Sequence, residues 1–443
     1  MRAGEKQGSS KGPAPGRCIN GFVMPTAAQM AATSHAPSAP PWWVPRTCAI
    51  GLAYFSGQMG AALYNAYLPI FYGAFVASNL LIGVVMIIDN IASLTLQPYF
   101  AGLSDRVDTR LGRRVPFLLA GIPVAALFFL LIPRARSFWP LLGATIMVNV
   151  GGAVFNSPGY ALMPDITPRP LRGRANGILN LMGGLGALVA FFALSSLYRR
   201  SRTLPFDVAS GLLVTALVVI LLTIRERRVS LLYRPGGAAP APDNVEVGRL
   251  LPAARMLVQK PNRAIFWLML GALAWVAAVN GVQNMFTRYG VQYLKLDPSA
   301  ATFLLGFFAV AFIAFSVPAG IIGDRMGRLK AIRLGGAVTL AVFASVSYIR
   351  APMLYRALLI VGGLGWALVI TNAYPFLVDR VPPRQTGTFT GLWNAALALA
   401  GLISPPVYGL VVDAFGFGAF FIPGVVFMAA GLVSTLGIIE GDN

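Results

Sequence analysis

The chain has 443 residues, 56% of them apolar and only 11% charged, with a mean hydropathy of +0.69. An ordinary soluble domain carries roughly 25% charged residues, so a soluble enzyme, a disordered chain and a fibrous or disulfide-rich secreted protein are excluded. The 35 basic residues against 15 acidic ones give +20, but they sit in short clusters between apolar runs, a pattern of membrane-anchoring loops and not of a nucleic-acid surface.

Residues 1–46 are rich in Pro, Ser, Gly and Ala and read as a disordered cytoplasmic tail. They hold no apolar run of the roughly 7 to 15 residues that a secretory signal needs. The only histidine, His35, lies there, and Cys18 and Cys48 have neither metal spacing nor a disulfide framework. No metal site and no histidine-based catalysis is expected.

Six apolar runs follow, at about 47–73, 78–102, 117–133, 138–163, 176–197 and 205–224. A polar, Pro-rich segment covers 225–262. Six more runs lie near 263–289, 299–322, 333–349, 353–378, 386–412 and 416–438, before a short tail over 439–443. Each run is long enough to cross about 30 Å of hydrocarbon as a helix. None alternates as a barrel strand would. The expected fold is an all-α membrane protein with twelve transmembrane helices in two pseudo-symmetric six-helix bundles, 47–224 and 263–438, joined by a cytoplasmic linker. Within the linker, Glu246 to Val258 carries Val247, Leu250, Leu251 and Leu257 among Arg249 and Arg255. That is either plain linker or a helix lying on the membrane surface.

With both termini in the cytoplasm, 26 of the 35 Lys and Arg fall on that side and 9 on the other, which fits the positive-inside rule. Arg199, Arg200 and Arg202 run against it, and the sequence offers no account of that cluster beyond contact with lipid headgroups.

The halves carry related loops. Ser104-Asp105-Arg106 and Gly112-Arg113-Arg114 lie between helices 2 and 3; Gly323-Asp324-Arg325-Met326-Gly327-Arg328 lies between helices 8 and 9, 219 residues on from Asp105 to Asp324. After helix 4 come Asp165, Pro168, Gly173 and Gly177, and after helix 10 come Asp379, Pro382, Gly387 and Gly391, at a constant offset of 214. Paired signatures in the same order argue for duplicated bundles, the build of transporters that bind substrate between repeats. An Asp beside an Arg at a helix end can accept backbone N–H groups and pair with a guanidinium. These loops, with Arg110, are therefore the expected cytoplasmic latch between the halves.

The loops resemble the signature of the major facilitator superfamily. The string SDRVDTRLGRRVPF from Ser104 to Phe117, with five residues between Asp-Arg and Gly, is similar to the form found in glycoside–pentoside–hexuronide:cation symporters and sucrose:proton symporters. Gln97-Pro98 and ALMPDITPRPLRGRANGI from Ala161 to Ile178 fit the same branch. The resemblance implies secondary transport by alternating access and, within this branch, import of a neutral sugar or glycoside with a cation. Symporters that use sodium with melibiose-like sugars have aspartates where Gln97 and Ser93 stand here. Protons are thus the expected coupling ion, and no cofactor is implied.

Asp89 is the one acidic residue that cannot be placed in a loop, tail or helix end. It lies sixteen residues before Asp105, about 24 Å along a helix, near mid-membrane. A carboxylate there costs on the order of 3 kcal/mol by insertion scales. Desolvation disfavours its charged form, so it is the expected proton-coupling residue. An Asp89 that is permanently protonated, or hydrogen-bonded to Asn90 or a neighbouring helix, is the plainer alternative.

A sugar-like ligand needs converging donors, acceptors and aromatic faces. Gln58, Asn65 and Tyr67 of helix 1, Asn156 of helix 4, Asn280, Gln283 and Asn284 of helix 7, Asn372 of helix 10, and Trp393 and Asn394 of helix 11 are the candidates. Asn149 of helix 4 and Asn176 and Asn180 of helix 5 are further intramembrane amides. Each also has the ordinary role of bonding helix to helix. No GxxxxGK string followed by Ser or Thr is present, so ATP is not expected to drive transport. The chain is expected to act as a monomer in the cell membrane, on a small molecule. Proton-coupled export of a metabolite or drug is the alternative transport reading, and a non-transporting assembly factor of the same fold is the alternative from another class.

Overall fold

The computed structural model describes residues 18–19, 22–23, 43–231, 263–346, 348–349, 352–382 and 385–438. The chain divides into two units, Met1–Val44 and Pro45–Asn443. In the first unit, β1 (Cys18–Ile19) pairs antiparallel with β2 (Phe22–Val23). The rest of the expected tail up to residue 42, and the linker over 232–262 with its surface-helix candidate, lie outside the described residues.

Twelve long helices make up the described part of the second unit. In chain order they are α1 (Trp43–Gly73), α2 (Asn79–Arg106), α3 (Val115–Leu131, continued to Arg134), α4 (Phe138–Ile166), α5 (Arg172–Tyr198) and α6 (Leu204–Thr223). After the linker come α7 (Arg263–Gln292), α8 (Pro298–Met326), α9 (Arg328–Val346), α10 (Pro352–Val378), α11 (Thr386–Phe415) and α12 (Ile422–Leu436). They form two six-helix bundles. Eleven are long and apolar enough to cross a membrane. The exception, α1, spends its length on Tyr54, Gln58, Tyr64, Asn65 and Tyr67, and polar side chains of that kind face a cavity or a neighbouring helix. Leu222, Val433 and Leu436 are mostly exposed on the outside of the bundles. In water such faces would aggregate; against lipid tails they are neutral.

α1 begins and α12 ends at one face, here the proximal face. The opposite face is distal. Two helices are irregular. α2 breaks at Ile87, between Asn79–Met86 and Ile88–Arg106, so Asp89 stands in the first turn of a new helical segment. The N-terminal end of a helix favours a carboxylate. α5 widens to a π-helical turn over Ala190–Leu194.

The signature loops build the same ion cluster twice. In the first half, Arg114 pairs with Asp105 at 2.5 Å and Asp165 at 2.9 Å, and also reaches Ser104. In the second, Arg328 pairs with Asp379 at 2.7 Å and Asp324 at 3.4 Å. Each arginine, at or just before the start of the third helix of its half, ties the end of the second helix to the end of the fourth. Burial works against the charge on Arg114, but Asp165 and Asp105 more than offset it and hold its pKa above the ordinary arginine value. Gly112 and Gly327 both have left-handed φ, 115° and 95°, which explains a glycine at that place in both copies. Arg106, Arg110 and Arg325 are exposed. These pairs close within each half, not across the halves as the latch reading expects, because each guanidinium meets its carboxylates at helix ends of its own bundle.

A further member of the first cluster is Glu226, in the one-turn helix Glu226–Val229 after α6. Its buried carboxylate accepts from the N–H groups of Arg113 (2.8 Å), Arg114 (2.9 Å) and Val115 (3.0 Å). Three N–H groups at the start of α3 are thereby satisfied. Glu226→Ala leaves them buried and unpaired, at a cost of about 2 kcal/mol. Thermal unfolding in detergent should show a lower Tm; an unchanged Tm would contradict the role.

Candidate functional site

The first half lines a partly open cavity of about 270 Å³ between α1, α2, α3, α4 and α6. Three polar stripes face it. Tyr54, Gln58 and Asn65 come from α1; Asp89, Ser93 and Gln97 from α2; Asn149, Asn156 and Tyr160 from α4. Spacings of four, seven and eleven residues put each set on one side of its helix. The lining runs from Asn65 and Asn149 at mid-depth to Ile50 and Leu162 toward the proximal face. Among the described residues, Asp89 is its one carboxylate.

Local bonds hold the stripes in place. Asn149 donates to the Tyr64 hydroxyl at 3.0 Å and to the Thr145 carbonyl at 2.9 Å. Gln97 donates to Ser93 at 3.1 Å. Tyr54 and Tyr160 lie ring to ring at 4.7 Å. Asp89 accepts from the backbone and side-chain N–H of Asn90, at 2.6 and 2.7 Å. Asn90 also reaches the carbonyl of Gly401 on α11 at 3.5 Å. The carboxylate is thus two bonds from the other half of the protein.

The other sequence candidates are placed elsewhere. Tyr67 is fully buried and stacks on Tyr198 at 4.4 Å, outside the cavity. None of the second-half candidates lines it. Asn284 donates to Asn280, so that pair satisfies itself along one helix. Asn372 is buried and donates to Ala319 and Leu368 carbonyls, so it bonds α10 to α8. Trp393 is buried against Tyr374, and Asn394 is exposed. Gln283 lines a second cavity of only about 20 Å³ with apolar neighbours such as Phe308 and Val342. Tyr54, Tyr64 and Tyr160 escaped the sequence reading, although Tyr54 and Tyr160 fall in step with the amides already singled out.

Among the described residues, the hydrogen bonds that join the halves sit at mid-depth or on the distal face. There Asp413, near the end of α11, accepts from Ser78 Oγ (2.8 Å), Asn79 N (2.7 Å), Asn79 Nδ2 (2.8 Å) and Leu80 N (2.9 Å) at the start of α2. Arg288 of α7 donates to Asn79 Oδ1 at 2.6 Å. Three glycines let α2 and α11 approach. A Cβ on Gly83 would lie 2.3 Å from the Pro405 carbonyl, one on Gly409 2.2 Å from the Asn79 carbonyl, and one on Gly401 2.3 Å from Asn90 Oδ1. A second seam joins α5 to α8. Phe192, in the π-helical turn, seats on Gly306 and meets Phe303 and Phe307 edge-on.

A family model, the Major Facilitator Superfamily, matches residues 50–405, with a second match over 291–440. The chain belongs to the Major Facilitator Superfamily. It is a multi-pass membrane transport protein, and the superfamily is one of secondary transporters. Three relatives share 23% identity with it. The class H tetracycline resistance protein of Pasteurella multocida aligns over 365 residues, 80% of this chain and 85% of that protein. The fosmidomycin resistance protein of Escherichia coli (strain K12) aligns over 370 residues, 82% and 86%. Sugar efflux transporter A of Dickeya chrysanthemi aligns over 373 residues, again 82% and 86%. Among solved structures, an inward-facing, unoccupied bacterial homolog of the human lysosomal transporter Spinster matches with TM-score 0.68 at 14% identity, over 90% of this chain and 95% of that one. The nucleoside transporter NupG also scores 0.68 at 14% identity, over 89% and 98%. At such identity the likeness is one of fold.

Proposed function

We propose that this superfamily member exports a small, uncharged, hydroxyl-rich solute in exchange for protons, by alternating access, with Asp89 as the proton-carrying group. The observation that carries the reading is the cavity's chemistry: one carboxylate among amides and phenols from three helices. Amides and phenols supply neutral donors and acceptors for hydroxyl groups. A single acid supplies the one group whose charge can change during the cycle. The volume suits a solute at or below the small end of ligand pockets, roughly 300 Å³. Export is supported by three relatives that align along most of their length and are named for resistance or sugar efflux.

The second reading is proton-coupled import of a neutral sugar or glycoside. It is favoured by the Ser104–Phe117 string and its likeness to the sucrose:proton and glycoside–pentoside–hexuronide:cation branch. Sodium has weaker support, since Gln97 and Ser93 bring no carboxylate to the cavity. In both readings the proximal face is cytoplasmic, as the bias of Lys and Arg favours. The protein then acts as a monomer in the cell membrane, and the bonded distal face makes the present state inward-facing.

The test has two stages. A thermal-shift screen against sugars, glycosides and common efflux substrates finds the solute that stabilises the folded protein. That solute is then followed in reconstituted vesicles under an imposed pH gradient. Export predicts net movement of solute against the direction of the proton gradient's dissipation, and import predicts movement with it. Flux indifferent to the pH gradient would refute proton coupling in either direction.

A further inference from the structure

On the distal face, away from the transport cavity, a separate cavity of about 290 Å³ lies among the ends of four helices. Arg199 comes from the end of α5. Leu294 and Leu296 come from the turn between α7 and α8, Phe303 and Leu304 from the first turns of α8, and Arg356 from the first turn of α10. The two guanidiniums are exposed, and neither pairs with a carboxylate among the described residues. Asp297 is in the same turn, but its carboxylate caps Ser299 N at 3.1 Å. Arg356 lies over the Phe307 ring at 5.7 Å, and the neighbouring Arg202 over Phe71 at 4.3 Å. The remaining walls are apolar except for Tyr355, whose hydroxyl bonds to that of Tyr289 at 2.7 Å.

The level of this cavity is the membrane boundary. All four helices end or begin there. Trp139 at the start of α4 and Tyr348 just before α10 are largely exposed at the same face, where aromatic side chains mark the headgroup layer. The turn is also strained: Lys295 holds φ at 58°, a region that favours glycine, with its two neighbours Leu294 and Leu296 both on the cavity wall. Strain of this sort is kept where the surroundings fix it for a purpose.

We infer that this cavity binds an anionic phospholipid of the distal leaflet, its phosphate between Arg199 and Arg356 and an acyl chain against Leu294, Leu296, Phe303 and Leu304. Unpaired guanidiniums over an apolar slot match an amphiphile with a negative head. The same site accounts for basic residues on the side where the topology rule disfavours them. Because Arg199 belongs to the first half and Arg356 to the second, the lipid bridges the bundles where α5 meets α8. Parting of that seam would separate the two arginines. The lipid therefore favours the conformation with the distal face closed, through its higher affinity for that state.

The experiment is native mass spectrometry of the full chain released from nanodiscs of phosphatidylcholine with added phosphatidylglycerol. The wild type and an Arg200→Gln control, altered outside the cavity, should retain phosphatidylglycerol in preference to phosphatidylcholine. The Arg199→Gln/Arg356→Gln double variant should lose that preference by about tenfold or more, the scale of a lost charged contact. Ala300→Trp fills the cavity mouth while keeping both arginines and should lose it too, which guards against a folding defect in the double variant. Equal retention of the two lipids by the wild type, or full retention of phosphatidylglycerol by both variants, overturns the proposal. Displacement of the lipid by glycerol phosphate at equal concentration also overturns it, since the site would then be one for free phosphate.

Discussion

An Asp413→Ala protein is expected to lose its preference for the closed distal face. The carboxylate accepts four hydrogen bonds from the start of α2, so it serves as a cap supplied by the opposite bundle. Asp413 is exposed, which dilutes each bond with water. A net loss of about 2 kcal/mol is a reasonable total for the set, equivalent to a roughly thirtyfold shift between the two states. Spin labels on Trp139→Cys and Met353→Cys, in a chain with Cys18 and Cys48 replaced by serine, would report the distance between the halves on that face. The wild type should show mainly the short distance. The variant should populate a longer one, and transport should fall with it. Identical distance distributions would remove Asp413 from the gate.

The second large effect is expected at Asp89. An Asp89→Asn protein should still bind its solute and exchange it at equilibrium, yet fail to concentrate it under a pH gradient, so that the gradient-driven part of the flux is abolished. The substitution is a gentle one structurally. Asp89 accepts two bonds from Asn90 through a single oxygen, and the amide oxygen of asparagine can accept both. What asparagine lacks is a second charge state. Its carboxamide copies the protonated acid and holds the protein there. The coupling route is short, because Asn90 also faces Gly401 of the other bundle. Accumulation against the gradient in Asp89→Asn would exclude Asp89 as the proton carrier and leave the family assignment untouched.

The helices were legible because each apolar run had to be continuous to satisfy its backbone in lipid. The breaks inside them were not. Ile87 interrupts α2 without a proline or glycine beside it, and the widened turn of α5 runs through Ala190–Leu194, residues that any helix accepts. The duplicated ion clusters were half legible. Equal spacing betrayed Arg114 with Asp105 and Asp165, and Arg328 with Asp324 and Asp379, but not that each cluster stays within its own bundle. Amides in α1 and α4 stood out against apolar neighbours and do line the cavity. The same reasoning misplaced Asn372 and Asn284, because an amide in a helix bundle carries no mark of whether it faces a ligand or a carbonyl. Tyr54 and Tyr160 were overlooked for the converse reason: a tyrosine passes for ordinary packing. Asp413 carries no mark in the sequence beyond its place just after an apolar run, since its partners are 333 to 335 residues away in the chain.

The three glycines between α2 and α11 have a mechanical result. Gly83 and Gly409 present bare main chain to main chain, and Gly401 presents it to a single amide. At Gly83 and Gly409 no side chain is wedged between the helices, so parting there asks for no rotamer change. At those points the seam is a smooth bearing, and polar bonds from Asp413 fasten it at its distal end.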